Sequence, residues 1–316
     1  MTTYYNWGLW LLLMAAVISF FGWDANAQIV GLFVASGLAV GSLYALGGIG
    51  IVVLYRATGV MNFSAGAAGA AGAMTAWQLG LWGLWQPLTW LVCLCMALAI
   101  TLVYGRFIAP LLAWRESMVK AVATLGFALI ILGLVTFLWS DTPRSLKLPT
   151  DEIGIRLMGL RLTMTRIIVF GATIGVVIGI WAFLTCTKIG LEMRALANDR
   201  DLAALMGIPI LKVETIAWAI SGTLSGFTGL MFADLIRLEP VVLTFMVIPS
   251  IASAIIGRLE NMTVVLLGGL SMGVVENLLT LSPLLKGVRP IAPFVIAVLV
   301  LLWNQRSQRL TFGGKD

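Results

Sequence analysis

T-K-I-G-L-E-M-R-A-L-A-N-D-R-D-L-A-A-L-M-G-I-P-I-L-K-V, residues Thr187 to Val213, is the one long polar interruption in the second half of a strongly apolar chain. Its spacing predicts two short helices rather than a slack linker. Leu191, Arg194, Ala195 and Asn198 recur at helical intervals. Asn198 or Asp199 can cap a second helix by accepting a backbone N–H bond. In that helix Leu202, Leu205 and Met206 fall at i, i+3 and i+4 and share an apolar face. Gly207 supplies a left-handed stop, and Pro209 prevents continuation. A compact amphipathic pair of this kind either lies on lipid headgroups or docks into a groove on a partner.

The flanking sequence says where such a pair would sit. Of 316 residues 60% are hydrophobic and 11% charged, against about half and a quarter in soluble domains. The chain is therefore expected to be an integral membrane protein. Its 12 Trp and 34 Gly suit that solvent, with Trp at the interfaces and Gly at close helix crossings. The net charge of +6 then reflects basic span ends rather than affinity for nucleic acid. Cys93, Cys95 and Cys186 lie in or beside apolar runs without metal-ligand spacing, and there is no histidine. Zinc chemistry, a Ser/His/Asp triad and a Cys/His pair thus find no support. A phosphate-binding G-x-x-x-x-G-K-[ST] loop is also missing from the sequence, so no ATP site and no cofactor is expected in this chain.

Taken in order, the apolar runs predict about ten spans. Leu9 to Trp23 reads as a short first span; Ala25-Asn26-Ala27 resembles a signal-peptidase site, but the leader carries no Lys or Arg. Val30 to Tyr55 is long enough to cross a ~30 Å hydrocarbon core with tilt. It is crowded with small residues that let other backbones approach. Asn62, Ser64, Gly66, Gly69 and Gly72 then open an Ala/Gly-rich helix running to about Trp82. Polar groups and weak helix formers there predict a broken start to the third span, tolerated only when buried in protein or lining a watery path. Spans four to six are expected at about 87–107, 119–139 and 167–186. The 27-residue loop 140–166 partly alternates between Ile155 and Leu162, which predicts a small β-hairpin. Span seven, Glu214 to Ile236, carries Ser221 and Ser225; Val241 to Gly257 is short and interrupted at Pro249-Ser250. Arg258, Glu260 and Asn261 predict a tight turn before span nine, Met262 to Leu281, which carries Glu276; span ten is about Pro290 to Trp303.

With both termini inside, 12 Lys and Arg fall on the cytoplasmic side and 8 outside, 5 of the latter within 140–166. That bias puts 187–213 and the 304–316 tail in the cytoplasm. Spans two to five and seven to ten each begin with a small-residue-rich helix followed by an interrupted segment, 59–72 and 240–257. Such pairing points to two pseudo-repeated halves with a solute path between them. Glu276, a carboxylate within a span, is either a path residue or paired structurally near the membrane edge. Asp234 and Arg237, one turn apart, suggest an interfacial ion pair.

Three segments carry a family resemblance. Gly41–Leu46, G-S-L-Y-A-L, followed by V-M-N-F at Val60–Phe63, resembles the first signature of permease subunits of branched-chain amino acid ABC importers. Gly190–Ala195, G-L-E-M-R-A, with N-D-R-D-L-A-A-L-M-G-I at Asn198–Ile208, resembles that family's cytoplasmic signature. Leu266–Leu278 is similar to its penultimate span. The resemblance implies an all-α, type II importer-like permease, one transmembrane domain over 1–316 in a bacterial inner membrane. It implies that 187–213 forms coupling helices and that 140–166 is periplasmic. The implied partners are a second related permease, two ABC ATPase subunits that bind ATP and Mg, a periplasmic substrate-binding protein and membrane lipid. Leu191, Leu202, Leu205, Met206 and Gly207 would then supply contact to an ATPase, and Arg194, Asn198, Asp199 and Arg200 polar orientation. Ser42, Tyr44, Asn62, Ser64, Gly66, Ser221, Ser225, Pro249, Ser250 and Glu276 are the candidate path residues.

The chain departs from the family pattern where members carry His-Gly-Glu: here it has Ala65-Gly66-Ala67. Pro249-Ser250 and Gly257-Arg258 stand where members often carry Lys-Ala-Phe and paired glycines. The substrate is thus open between branched-chain amino acids, other amino acids, urea or short amides, and small organic acids. A stand-alone channel or secondary carrier is the alternative class; it would not need a docking helix pair.

Overall fold

In a membrane every backbone N–H and C=O must be satisfied within the protein, so even Gly-rich apolar runs are driven into helix. The structure, a computed structural model, describes residues 27–146, 148–151, 154–157, 160–281, 287 and 291–305. The expected first span at Leu9–Trp23 and the end of the tail lie outside the described residues.

Helix α1 is Ala27–Thr58, α2 Ala65–Leu81, α3 Gln86–Val103 and α4 Ser117–Trp139. A π turn at Tyr104–Ile108 and a 3-10 turn at Ala109–Leu112 extend α3. Strands β1 (Gly154–Leu157) and β2 (Leu160–Thr163) pair antiparallel, with Arg156 opposite Arg161, as the alternation predicts. Then follow α5 (Met164–Cys186), α6 (Lys188–Asn198), α7 (Arg200–Leu205) and α8 (Ile210–Leu235). The last are α9 (Pro240–Phe245), α10 (Val247–Ile256), α11 (Met262–Leu278) and α12 (Ala292–Gln305). Among the described residues six helices are long and apolar enough to cross a membrane: α1, α3 with its extension, α4, α5, α8 and α11. The chain is a multi-pass membrane protein whose spans are all helical. At the other predicted spans α2 has 17 residues and α12 14, and Pro240–Ile256 is a shorter apolar stretch broken between α9 and α10.

Burial sorts centre from rim. The most apolar window of α8 is 72% buried, but that of α4 or α5 only 22%. Ile130, Leu134 and Phe137 of α4 are exposed, the surface expected to meet lipid or another membrane chain. The centre is held by close crossings. A Cβ added at Gly41 of α1 would lie 2.8 Å from the Leu270 Cα of α11. One added at Gly69 of α2 would lie 2.5 Å from the Ser225 carbonyl oxygen of α8. Only glycine lets these backbones meet, and association inside lipid depends on such packing because burial of apolar surface gives no drive there.

The loop after α4 is tied down. Arg144 forms an isolated antiparallel bridge with Leu238, donates to the Trp139 carbonyl, and places its guanidinium 4.4 Å from the Trp77 ring centroid. The Leu148 N–H donates to Asp234 Oδ1 at 3.0 Å. This corrects the expectation of an Asp234–Arg237 ion pair: the Asp234 carboxylate turns to the loop backbone, and the one ion pair among the described residues is Arg200–Glu214. The tight turn before α11 is present. Arg258 and Leu259 take φ of 56° and 58°, and Asn261 Oδ1 caps α11 by accepting from the Thr263 and Val264 N–H groups.

Candidate functional site

Helix α1 ends on Gly59, whose φ of +67° turns the chain out of the helix. The next five residues are non-helical and buried or half-buried, so their polar groups need partners within the protein. They find them in side chains. Thr58 Oγ1 accepts from the Val60 N–H at 3.2 Å. Thr124 of α4 accepts from the Phe63 N–H at 3.2 Å and is 3.0 Å from the Met61 carbonyl. Asn62 Oδ1 accepts from the Ser64 N–H at 2.9 Å and the Ser64 hydroxyl at 2.7 Å, and its Nδ2 donates to Ser221 Oγ at 3.4 Å. Three candidate path residues, Asn62, Ser64 and Ser221, thus form one buried cluster that shapes the start of α2. Thr124 was not among the candidates; a hydroxyl within the apolar run of α4, which it shares only with Thr136, was the available signal.

Just beyond this cluster is a narrow cavity of about 20 Å³, room for a water and nothing larger. Its walls come from both interrupted segments. Ala65, Gly66 and Gly69 are from α2, Leu243 from α9, Met246 from the break, and Val247 and Ser250 from α10. Gly47 and Ile51 of α1 and Ser225, Thr228, Gly229 and Phe232 of α8 complete it. Of the candidate path residues, Gly66, Ser225 and Ser250 are brought together here. Thr228, Phe232 and Met246 were missed because they read as ordinary helix-packing residues.

The lining carries no ionisable group. Its hydroxyls are turned to backbone: Ser225 to the Ser221 carbonyl at 2.8 Å, Thr228 to that of Ser225 at 3.1 Å, and Ser250 to that of Met246 at 3.2 Å. Each therefore offers lone pairs rather than a free proton. Ala65 and Ala67 stand in this region where charged or proton-carrying side chains are absent.

The remaining candidates lie apart from the cavity. Tyr44 donates to Glu276 Oε2 at 2.7 Å, and its ring stands 5.6 Å from that of Phe232, a cavity wall. Glu276 is therefore tied across α1 and α11. Ser42 bonds to the Leu38 carbonyl at 2.7 Å, and Pro249 is buried in α10 without lining the cavity.

The 187–213 stretch forms the two expected helices. Thr187 Oγ1 caps α6 by accepting from the Gly190 N–H at 3.0 Å. Asp199, rather than Asn198, caps α7, accepting from the Asp201 N–H at 3.0 Å and the Leu202 N–H at 2.9 Å. Gly207 has the left-handed φ of +79°. Met193, Leu196 and Ala203 are buried against the body of the protein, while Leu191, Leu202, Leu205 and Met206 are exposed, Leu205 to 85%. Arg194 and Asn198 are exposed. Arg200 is turned inward, its Nη2 at 2.6 Å from Glu214 Oε1. Among the described residues no cluster of three or more His, Cys, Asp or Glu could hold a metal.

Residues 33–303 match the family described as the permease component of branched-chain amino acid transport systems. A probable branched-chain amino acid transport permease, LivH of Methanocaldococcus jannaschii, is 26% identical over 244 residues, 76% of this chain and 78% of its own. The high-affinity branched-chain amino acid permease LivH of Salmonella typhimurium is 22% identical over 284 residues, 84% of this chain and 91% of its own. Among solved structures, PsaBC from Streptococcus pneumoniae in complex with Fab aligns over 92% of this chain and 95% of its own, with TM-score 0.46 and 14% identity.

Proposed function

The chain belongs to the family of branched-chain amino acid transport system permease components, and from that premise we propose that it moves branched-chain amino acids inward as one half of an ATP-driven importer. It is the permease and not the ATPase. In this reading two ABC ATPase subunits bind ATP and Mg and hydrolyse ATP. A second related permease completes the membrane unit, in a bacterial inner membrane. A periplasmic binding protein delivers the solute on the side of the 140–166 loop, and α6, α7 and both termini face the cytoplasm.

One observation carries the reading: Leu191, Leu202, Leu205 and Met206 are exposed, on helices whose Met193, Leu196 and Ala203 are buried against the rest of the protein. Exposed Leu and Met on a rigid, capped helix pair fit a groove on a protein. Arg194 and Asn198 are exposed on the same helix pair and would orient it. The cavity between the two halves supports an inward path. It has no fixed charge to hold a zwitterion, and its hydroxyl lone pairs suit an ammonium group. Selectivity is then left to the delivering protein.

The test is Leu205→Asp in the tagged protein, expressed in its native membrane. The expected result is an intact, stably folded chain that no longer recovers the ATPase subunits and takes up no leucine. Wild-type recovery of the ATPases by the variant, with undiminished uptake, would remove the docking role. Excess urea or acetamide should leave leucine uptake unchanged; competition by either would move the substrate assignment to amides.

A further inference from the structure

Helix α7 is joined to α8 by a turn of four residues, Met206 to Pro209. The turn is tight: the Gly207 N–H donates to the Ala204 carbonyl at 3.0 Å, and the Val213 N–H to that of Pro209 at 3.2 Å. Left to itself such a corner is still a hinge, because Gly207 is a left-handed glycine with open space around it. A movement of α7 could be absorbed there and never reach α8.

The Arg200–Glu214 ion pair spans this corner. Arg200 opens α7, and Glu214 lies one turn into α8. Their charged atoms are 2.6 Å apart, with the Glu214 side chain 14% exposed and that of Arg200 38%. A third charge, Lys120 at the start of α4, lines the same narrow cleft. One turn further along α8, Trp218 is fully buried and stands 5.0 Å, centroid to centroid, from Tyr104. It packs where a Cβ on Gly105 would come within 2.5 Å of its Cδ1. Two turns beyond that, α8 begins to wall the cavity with Ser225.

A partly exposed pair adds little to fold stability, commonly ~1 kcal/mol or less. Its significance here lies in what it connects. We infer that Arg200 and Glu214 are positioning residues that lock α7 to α8, so that a displacement of the docked helix is passed to the cavity wall instead of being taken up at Gly207. The inference rests on the importer reading above, and it turns Arg200 from a partner-facing residue into one that acts inside the chain.

The experiment uses the complete importer, co-purified with its ATPases and reconstituted in proteoliposomes with its binding protein. Leucine uptake and ATP hydrolysis are measured on the same sample. Glu214→Ala is expected to retain the ATPase subunits and hydrolyse ATP within twofold of wild type, while leucine moved per ATP falls at least tenfold. Arg200→Ala is expected to do the same, and the double variant to lose no more than either single one, since both remove one contact. An unchanged leucine-to-ATP ratio in Glu214→Ala would overturn the inference. So would loss of the ATPases from that variant, or losses that multiply in the double variant. Failure of the importer reading itself is seen separately, in the wild-type arm, as uptake that does not depend on ATP.

Discussion

Glu276 shows what a single buried carboxylate requires inside a membrane protein. It is 7% exposed, and the Tyr44 hydroxyl donates to it at 2.7 Å. The two are 232 residues apart. Each stood out in the sequence, Glu276 as an acid within a span and Tyr44 within a signature, but no spacing rule links them. Their meeting depends on the glycine crossing of α1 and α11, a tertiary fact. Local rules misled at Asp234, where one-turn spacing suggested Arg237 but the loop N–H of Leu148 offered the carboxylate a partner. If the Tyr44 bond holds α1 to α11, Tyr44→Phe should destabilise the protein by about 1–2 kcal/mol, the range for a buried bond to a charged group in a membrane bundle. Glu276→Gln keeps an acceptor for the Tyr44 hydroxyl and should cost less. Thermal unfolding in detergent checks the order; a larger loss in the Gln variant would show that the carboxylate is held chiefly by something other than Tyr44.

Helices α6 and α7 were the most legible elements, because the stretch carries its own punctuation. Asn198 or Asp199, Gly207 and Pro209 mark the ends of α7, and the i, i+3, i+4 spacing of Leu202, Leu205 and Met206 marks the face; the Thr187 cap of α6 is seen only in the structure. The hairpin at 154–163 was legible from alternation alone. The split of Pro240–Ile256 at Met246 was not, since the visible interruption was Pro249-Ser250 and both of those residues are accommodated within α10; proline near a helix start has no N–H bond to lose. At six residues α7 is far too short to persist on propensity, so its cap decides whether the apolar face exists. Asp199→Ala should remove that cap, costing about 1 kcal/mol, and weaken retention of the ATPase subunits about fivefold. Asp199→Ser, which restores a capping oxygen, should return most of it. Pull-down against graded salt measures both, and equal retention by the Ala variant would mean that α7 is held by its tertiary contacts alone.

At the scale of the whole molecule, two interrupted segments from opposite halves meet at one small uncharged cavity. The pairing of 59–72 with 240–257 was readable as a pattern, but not that α8 would stand between them and supply four cavity residues, Ser225, Thr228, Gly229 and Phe232. A cavity of about 20 Å³ passes no amino acid, so transport requires the halves to move apart around it, as rigid bodies hinged at helix ends. Thr228 reports on that movement. Cys93 is buried, whereas Cys95 and Cys186 are exposed, so Thr228→Cys should be made with Cys95→Ser and Cys186→Ser. In the resting importer a water-soluble thiol reagent should modify Cys at this position slowly, because Thr228 is buried and the cavity admits nothing larger than a water. During ATP turnover the rate should rise at least tenfold as the path opens to one side of the membrane. Vanadate-trapped complexes should show one fixed rate, since trapping holds one arrangement of the halves. Equal rates at rest and in turnover would mean that the solute crosses elsewhere, and that the meeting of the two segments serves packing alone.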